Sequence, residues 1–170
     1  MRAGTAPLIT IRPTRLEDKE IIGDMLARSG DFRPDEIEIA YELIDVFLNA
    51  TGQTDYDIYT GVDEAEKPVG FVCFGPTPLT HGTYDLYWIA VDPDGHRGGI
   101  GTRLLRHAED VVTSRGGRLL IAETSSQPSY EKARSFYRKN SYLEVARIKD
   151  FYTPGDDLVI YGKYLSQSGV

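Results

Sequence analysis

The sequence predicts an α+β domain with a mixed, mostly antiparallel sheet of six to seven strands flanked by about four helices. Three observations support this prediction. Short apolar runs suited to strands recur along the chain, other segments repeat apolar residues every three and four positions, and turn residues separate these elements. The resulting order, β-α-α-β-β-β-α-β-α-β-β, combines closely connected strands with strands joined through a helix, which is typical of the α+β class.

The N-terminal part of the chain contains one predicted strand and two predicted helices. Leu8–Arg12 alternates as a strand does, and Pro13 is expected to end it because proline lacks the N–H that strand pairing needs. Thr14–Ser29 carries a helical stripe of apolar residues. A second stripe predicts a helix over about Pro34–Ala50, in which Pro34 suits the first turn.

The middle of the chain contains three predicted strands, Asp57–Val62, Val69–Phe74 and Thr83–Val91. An acidic turn joins the first two, and a loop rich in proline joins the second and third. Because these connections are short, we expect the strands to be antiparallel neighbours.

The C-terminal part contains two predicted helices and three predicted strands. The expected order is a helix with apolar residues from Leu104 to Val112, a strand at Leu119–Ala122, a helix over about Pro128–Asn140, and strands at Tyr142–Ile148 and Leu158–Leu165. The strand at Leu119–Ala122 is wholly apolar, as expected of a strand that is covered on both faces.

Length and composition favour a single globular domain over residues 1–170. The chain has 170 residues, of which 41% are hydrophobic and 26% charged, and these values suit one hydrophobic core. There is no apolar stretch of about 20 residues and no signal-like N-terminus, so we expect no membrane span and a cytoplasmic location. The net charge of −7 argues against nucleic acid as a partner.

Cysteine and histidine usage predicts no metal site. Cys73 is the only cysteine, and its apolar neighbours predict a core residue in a strand. The three histidines are scattered along the chain, so they do not form a spacing typical of zinc ligands.

The most informative segment is the glycine-rich tract that follows the strand ending at Val91. The strand stops at Pro93, and a helix is expected to begin within the glycines between Gly98 and Gly101. Glycine lets backbone N–H groups approach a ligand closely, and a helix start offers unpaired N–H groups to an anion. This arrangement predicts a site for a phosphate or diphosphate group.

Two other phosphate-binding loops fit this tract less well. A Walker loop requires a lysine before the serine or threonine, and Gly101 is followed directly by Thr102. The dinucleotide-binding fingerprint requires a third glycine where Leu104 stands. A nucleotide-binding domain is therefore a weaker alternative.

The tract resembles the acetyl-CoA-binding motif of the GNAT superfamily of N-acetyltransferases, Arg/Gln-x-x-Gly-x-Gly/Ala. Gly99 and Gly101 match the motif, whereas His96 stands where arginine or glutamine is usual. The resemblance extends over about residues 8–165 and implies a GNAT-like sheet with acetyl-CoA as co-substrate. The cofactor-binding residues that it implies are Ile89, Ala90, Val91, His96, Arg97, Gly98, Gly99, Ile100, Gly101 and Thr102.

A second motif of the same family is matched around Tyr137. The run from Ala133 to Tyr142 resembles the family motif in which a tyrosine precedes a glycine and an aromatic residue, and it implies that Tyr137 is a general acid for the leaving thiolate. Ser141 replaces that glycine, so we expect Asn140 to adopt the left-handed conformation at the helix end.

Removal of a proton from the acceptor amine requires a base, and two carboxylates are candidates. Glu123 follows the apolar strand Leu119–Ala122, so we expect it to be buried with a raised pKa and to act as the base. Asp85 is the alternative. The acceptor groove is expected to involve Asp31–Arg33 and Asp150–Tyr152.

The resemblance implies direct transfer of an acetyl group from acetyl-CoA to a primary amine of a small molecule or a protein. A non-catalytic domain of the same fold that binds or senses acyl-CoA is the alternative. Homodimer formation, which is common in this family, is a further expectation.

Overall fold

The computed structural model describes residues 8–95 and 98–165. Its helices are α1 (Asp18–Ser29), α2 (Pro34–Asn49), α3 (Ile100–Ser114) and α4 (Glu131–Lys139), and a short 3-10 turn at Pro128–Tyr130 precedes α4. Its strands are β1 (Thr10–Pro13), β2 (Asp57–Val62), β3 (Pro68–Pro76), β4 (Thr83–Val91), β5 (Leu119–Ser125), β6 (Leu143–Thr153) and β7 (Asp156–Tyr164). The predicted order of elements is confirmed.

The strands form one seven-stranded sheet in the order β1-β2-β3-β4-β5-β7-β6. β4 and β5 pair in parallel, whereas β1–β2, β2–β3, β5–β7 and β6–β7 are antiparallel. The predicted fold class, a mixed and mostly antiparallel sheet with four helices, is therefore confirmed.

Two element boundaries near the N-terminus differ from the prediction for local reasons. Pro13 is the last residue of β1, which lies at an edge of the sheet where a missing N–H is tolerated. The first helix begins at Asp18 rather than at Thr14. The Asp18 carboxylate accepts hydrogen bonds from the Arg15 N–H at 2.8 Å and from the Arg12 guanidinium at 2.7 and 3.0 Å, which holds the preceding residues in a turn.

The contact pattern divides the chain into two compact units. The first comprises the residues up to Phe74 together with Trp88–Ala108, and the second comprises Gly75–Tyr87 and the residues from Glu109 onward. The prediction of a single domain stays a prediction.

The core of the first unit is formed by α1, α2, β2 and β3. Its buried side chains are Ile22, Met25, Leu26, Ala40, Ile44, Ile58, Phe71 and Cys73. Cys73 is 1% exposed, which confirms its prediction as a core residue, and burial raises the pKa of its thiol to about 12.

The second unit is built around β5. β5 pairs with β7 along its whole length, from Leu119 opposite Tyr164 to Ser125 opposite Leu158. Its pairing with β4 joins Thr83–Asp85 to Leu119–Ile121. Among the residues that the structure describes, no helix is long and apolar enough to cross a membrane.

Candidate functional site

The glycine tract forms a strand–loop–helix connection within the first unit. α3 begins at Ile100, inside the tract, as predicted. Gly99 directly precedes it with a φ of +67°, a conformation that side chains disfavour, and its carbonyl accepts the Arg103 N–H at 3.0 Å. Because the first N–H groups of a helix have no intrahelical partner, those of Ile100, Gly101 and Thr102 are available by position to an anion.

No described residue crowds Gly99. Within residues 8–95 and 98–165, no heavy atom lies within 4 Å of a Cβ atom built on it. The glycine is therefore required by its left-handed backbone and not by crowding from these residues. An open approach to a helix start is what a diphosphate ligand needs.

Close packing fixes the start of α3 against the strands of the first unit. A Cβ atom at Gly70 of β3 would lie 2.9 Å from the Ala90 carbonyl oxygen and 2.9 Å from Leu104 Cδ1. Its distance to Ile100 Cγ2 would be 3.3 Å. Because Gly70 has no side chain, two predicted site residues, Ala90 of β4 and Ile100 of α3, can both pack closely against β3. The sequence did not reveal this role of Gly70.

The loop between β4 and α3 is held by a charged network that the sequence did not reveal. Both carboxylate oxygens of Asp92 accept hydrogen bonds from the Arg28 guanidinium, at 3.1 and 3.2 Å. Arg28 also contacts the carboxylate of Asp94 and donates to that of Asp24 at 2.8 Å. Arg28 lies at the end of α1, so only the fold brings it to this loop.

Asp92 is the buried member of this network. It is 6% exposed, its N–H donates to the Val69 carbonyl at 2.9 Å, and its carboxylate also accepts the Asp94 N–H at 3.0 Å. Burial raises the pKa of the Asp92 carboxyl, but the hydrogen bonds from Arg28 and Asp94 outweigh burial and leave the pKa below its usual value. The carboxylate therefore stays charged at neutral pH and fixes the first half of the loop.

The other predicted cofactor-binding residues lie around this loop. Ile89–Val91 form the half-buried end of β4, and Gly98, Gly101 and Thr102 are also half-buried. The predictions for His96 and Arg97 fall outside the described residues.

Tyr137, the predicted general acid, is buried in the second unit. It lies on α4 and is 7% exposed. Its ring stacks on that of Tyr161 at 5.7 Å and also lies 5.8 Å from the Tyr142 ring. Burial raises the pKa of Tyr137 to about 12, so its hydroxyl keeps its proton throughout the neutral range.

The neighbouring tyrosines have defined hydrogen-bond partners. The Tyr142 hydroxyl donates to Glu109 at 3.0 Å, and the same carboxylate pairs with the Lys163 ammonium at 2.9 Å. The Tyr161 hydroxyl accepts a hydrogen bond from Arg138 at 3.1 Å.

Glu123 is exposed, so the prediction that it would be buried is wrong. It lies inside β5 opposite Ile160 and not at the strand end, since β5 continues to Ser125. Its side chain shares a face with Ile121, which is only half-buried, whereas the alternate residues Ala122 and Thr124 are buried. The apolar run was long enough to predict a strand but did not show which face is covered.

Asp85, the alternative base, is held by a residue that the sequence did not single out. Its carboxylate accepts a hydrogen bond from the Thr77 hydroxyl at 2.6 Å. Asp85 is half-buried and lies opposite Ile121, in the parallel pairing between β4 and β5.

The end of α4 corrects a further expectation. Ser141, and not Asn140, adopts the left-handed conformation, with a φ of +69° against −96° for Asn140. The Asn140 side chain instead donates to the Phe136 carbonyl at 2.9 Å, and the Tyr142 N–H donates to the Tyr137 carbonyl at 3.0 Å. Serine thus takes the backbone conformation that a glycine would adopt there at lower cost.

The two segments expected to shape the acceptor groove differ in their surroundings. In the first unit, the Phe32 ring lies 5.0 Å from the Trp88 ring. In the second unit, Phe151 and Tyr152 contact each other on the exposed strand β6. Within the described part of the chain, no group of three or more His, Cys, Asp or Glu side chains is arranged to hold a metal ion.

Sequence and structure comparisons with known proteins find matches in one family of acetyltransferases. The profile of the Acetyltransferase (GNAT) family matches residues 16–142. No protein of curated function matches the chain. A crystal structure from Desulfovibrio desulfuricans, assigned to the GNAT family of acetyltransferases, is 36% identical with a TM-score of 0.89, and the alignment covers 94% of this chain and 100% of that one.

More distant structures share the fold. An aminoglycoside 6'-N-acetyltransferase complexed with coenzyme A is 18% identical with a TM-score of 0.71, covering 95% of this chain and 99% of that one. NAA60 from Arabidopsis thaliana, in complex with a bisubstrate analogue, is 17% identical with a TM-score of 0.73, covering 95% and 100%. The family match over most of the chain and the 36% identical relative show that this protein belongs to the GNAT family of acetyltransferases.

Proposed function

We propose that this protein transfers an acetyl group directly from acetyl-CoA to a primary amine. The observation that carries the proposal is the start of α3. There a left-handed glycine that no described residue crowds is followed by a first helical turn, whose N–H groups have no partner within the helix. Family membership supplies the acetyl transfer, and the solved relative with bound coenzyme A supports this cofactor.

In this proposal the backbone of the first unit holds acetyl-CoA. The N–H groups of Gly98–Thr102 bind the diphosphate, where the positive end of the α3 dipole favours negative charge. Ile89–Val91 use backbone groups to bind the pantetheine arm and to polarise the thioester carbonyl. His96 and Arg97 add side-chain donors to the diphosphate.

The two proton transfers are assigned to side chains. A carboxylate, Glu123 or Asp85, takes a proton from the acceptor ammonium, directly or through water, and the free amine attacks the thioester carbonyl carbon. As the C–S bond breaks, the Tyr137 hydroxyl gives its proton to the departing sulfur. The nitrogen of the new amide loses its second proton to water, and water returns a proton to Tyr137. The raised pKa of Tyr137 keeps that proton in place at neutral pH until it is needed.

The exposure of Glu123 affects the choice of base. A solvent-accessible carboxylate reaches an amine through water more readily than a buried one does. Asp85 is positioned instead by the Thr77 hydroxyl. Comparing Glu123→Gln with Asp85→Asn separates the two. At pH values below the pKa of the acceptor amine, the amine is protonated and needs the base, so the variant that lacks the base should show the larger loss of kcat there.

Calorimetry with coenzyme A and turnover with acetyl-CoA test the proposal together. We expect coenzyme A to bind, and thiol to be released when acetyl-CoA is mixed with a panel containing an aminoglycoside, a linear diamine and a peptide with a free N-terminus. Binding without release for any amine would favour a non-catalytic acyl-CoA-binding domain. Absence of binding at millimolar coenzyme A, with ATP or NAD raising the melting temperature instead, would overturn the proposal in favour of a nucleotide-binding domain.

A further inference from the structure

Three tyrosines pack together in the second unit, and they differ in how their hydroxyl groups are bound. The Tyr142 hydroxyl donates to Glu109, and the Tyr161 hydroxyl accepts from Arg138. Within the described part of the chain, no group hydrogen-bonds to the hydroxyl of Tyr137, and burial is the only cause of its raised pKa. The position of this oxygen is therefore set by the packing of the Tyr137 ring and not by a hydrogen bond.

The two tyrosine rings that pack against Tyr137 are anchored differently. Tyr161 lies inside β7, where it is opposite Ala122 of β5 on one side and opposite Glu144 of β6 on the other. Its ring is thus attached to a strand that has neighbours on both sides. Tyr142 lies between the end of α4 and the start of β6 and belongs to neither element. The position of its ring depends on the contacts of its side chain.

An ion pair holds the side chain of Tyr142. The hydroxyl donates to Glu109 Oε1 at 3.0 Å, and the Lys163 ammonium donates to the two oxygens of the same carboxylate at 3.0 and 2.9 Å. The ammonium also lies 5.6 Å from the centre of the Tyr142 ring, within the range of a cation–π contact. Because Tyr142 is 1% exposed and the Glu109 side chain 12%, little water competes with these contacts.

Tyr142 is joined to Tyr137 in two ways. Its N–H donates to the Tyr137 carbonyl at 3.0 Å, across the left-handed residue Ser141. Its ring lies 5.8 Å from the Tyr137 ring, at an angle of 53°. A rotation of the Tyr142 ring would open space beside Tyr137 and let its hydroxyl move. Because proton transfer requires hydrogen-bond reach, a displacement of that oxygen by about 1 Å would lower the rate strongly.

We propose that Tyr142 is a positioning residue for the reaction, and that Glu109 and Lys163 fix its ring so that the Tyr137 hydroxyl stays in place. The inference rests on the proposed function, in which Tyr137 protonates the departing sulfur. A phenylalanine at position 142 would fill the same space but could not bind Glu109. Tyr142 and its charged partners exchange no proton with the substrate. They affect kcat through the geometry of another group and do not affect binding of acetyl-CoA.

A double-mutant cycle on kcat tests this role. Thiol release from acetyl-CoA is measured with the fastest acceptor among an aminoglycoside, a linear diamine and a peptide with a free N-terminus. We expect kcat to fall about tenfold in Tyr142→Phe, with an unchanged Kd for coenzyme A by calorimetry. In the Tyr137→Phe background, the same change should not lower kcat further, because the hydroxyl that Tyr142 positions is already absent.

Further variants separate positioning from folding. Glu109→Ala should lower kcat as Tyr142→Phe does, whereas Glu109→Gln keeps an oxygen that can accept from the Tyr142 hydroxyl and should retain most of the activity. Tyr164→Phe removes the hydroxyl of an exposed tyrosine on β7 and should keep the kcat of wild type. Thermal melts check that each variant is folded at the assay temperature.

The possible outcomes distinguish this inference from the proposed function. Absence of thiol release with every amine would overturn both. The kcat of wild type in Tyr137→Phe would overturn the assignment of Tyr137 as the acid, and this inference with it. If Tyr137→Phe lowers kcat but Tyr142→Phe does not, the positioning role alone is overturned. The same holds if Tyr142→Phe lowers kcat by an equal factor in both backgrounds, since that is the result of a purely structural role.

Discussion

The loop before α3 and the tyrosine cluster around α4 are both candidate parts of the catalytic apparatus, but they are built in different ways. In the loop, the chemistry depends on backbone N–H groups, and a charged network between Arg28 and Asp92 holds them. In the cluster, it depends on one side-chain hydroxyl, that of Tyr137, surrounded by other aromatic rings. A backbone site tolerates changes of side chain that keep its conformation, whereas a hydroxyl site does not tolerate loss of one oxygen.

The largest effect is expected from Tyr137→Phe. Without the proton donor for the departing sulfur, kcat should fall about 10²–10⁴-fold with little change in the Kd for coenzyme A. Stopped-flow and steady-state measurement of thiol release will check this. Tyr161→Phe is the matched control, because it removes a hydroxyl from the ring stacked on Tyr137, and it should keep most of the activity. Equal losses in both variants would indicate a packing effect.

Arg28→Ala should mainly weaken binding of acetyl-CoA. The buried Asp92 carboxylate loses its bidentate partner, and we expect the free energy of unfolding to fall by about 1–3 kcal/mol and KM to rise. S-acetylpantetheine is an acetyl donor that has no diphosphate. If Arg28 acts through the diphosphate-binding loop, the variant and wild type should have the same KM for this donor. Arg106→Ala, which removes an exposed cation of α3, is the charge control. A KM increase of the same size with S-acetylpantetheine would contradict this role.

Gly99→Ala tests the backbone conformation of the loop. The added methyl group meets none of the described residues, so we assign the cost to the left-handed φ, about 1–2 kcal/mol, and the Kd for coenzyme A should rise up to about tenfold. Gly99→Asn is the matched variant, since asparagine tolerates this conformation better. Calorimetry should rank wild type, Asn and Ala in that order, and an Asn variant weaker than Ala would contradict the argument.

The smallest effect is expected from pH. The Arg28 contact lowers the pKa of Asp92 in the folded protein, so its stabilising contribution is present above the ordinary aspartate pKa of about 3.9 and is lost as pH falls through the lowered value. The difference in melting temperature between wild type and Asp92→Asn should therefore begin to shrink as pH falls below about 4, and it should vanish below the lowered pKa of Asp92. A constant difference from pH 7 to pH 3 would show that ionisation of Asp92 does not contribute.

The sequence predicted those parts of the molecule in which the local pattern decides the structure. The element order, the helix start inside the glycine tract and the burial of Cys73 all follow from periodicity, glycine placement or an apolar run. Arg28 could not be predicted, because its partner Asp92 is far away in sequence and neither residue breaks a local pattern. The exposure of Glu123 was missed because an apolar run does not show which side of a strand is covered.

The irregular end of the chain shows a similar limit. Serine gives no sequence signal for a left-handed residue, so the prediction favoured Asn140 over Ser141. The length of β6 was also underestimated, since Lys149–Thr153 does not alternate and the strand is irregular there.

The burial of Cys73 has a practical consequence for measuring this protein. The residue is 1% exposed, and burial raises the pKa of its thiol to about 12, so almost none of the reactive thiolate exists near neutral pH. A chromogenic disulfide added to the native protein will therefore give a colour signal from liberated coenzyme A without a background from the enzyme. The same reagent also reports local unfolding. Slow reaction of one further thiol per chain would measure the fraction of molecules in which the core between α1, α2 and β3 has unfolded and exposed Cys73.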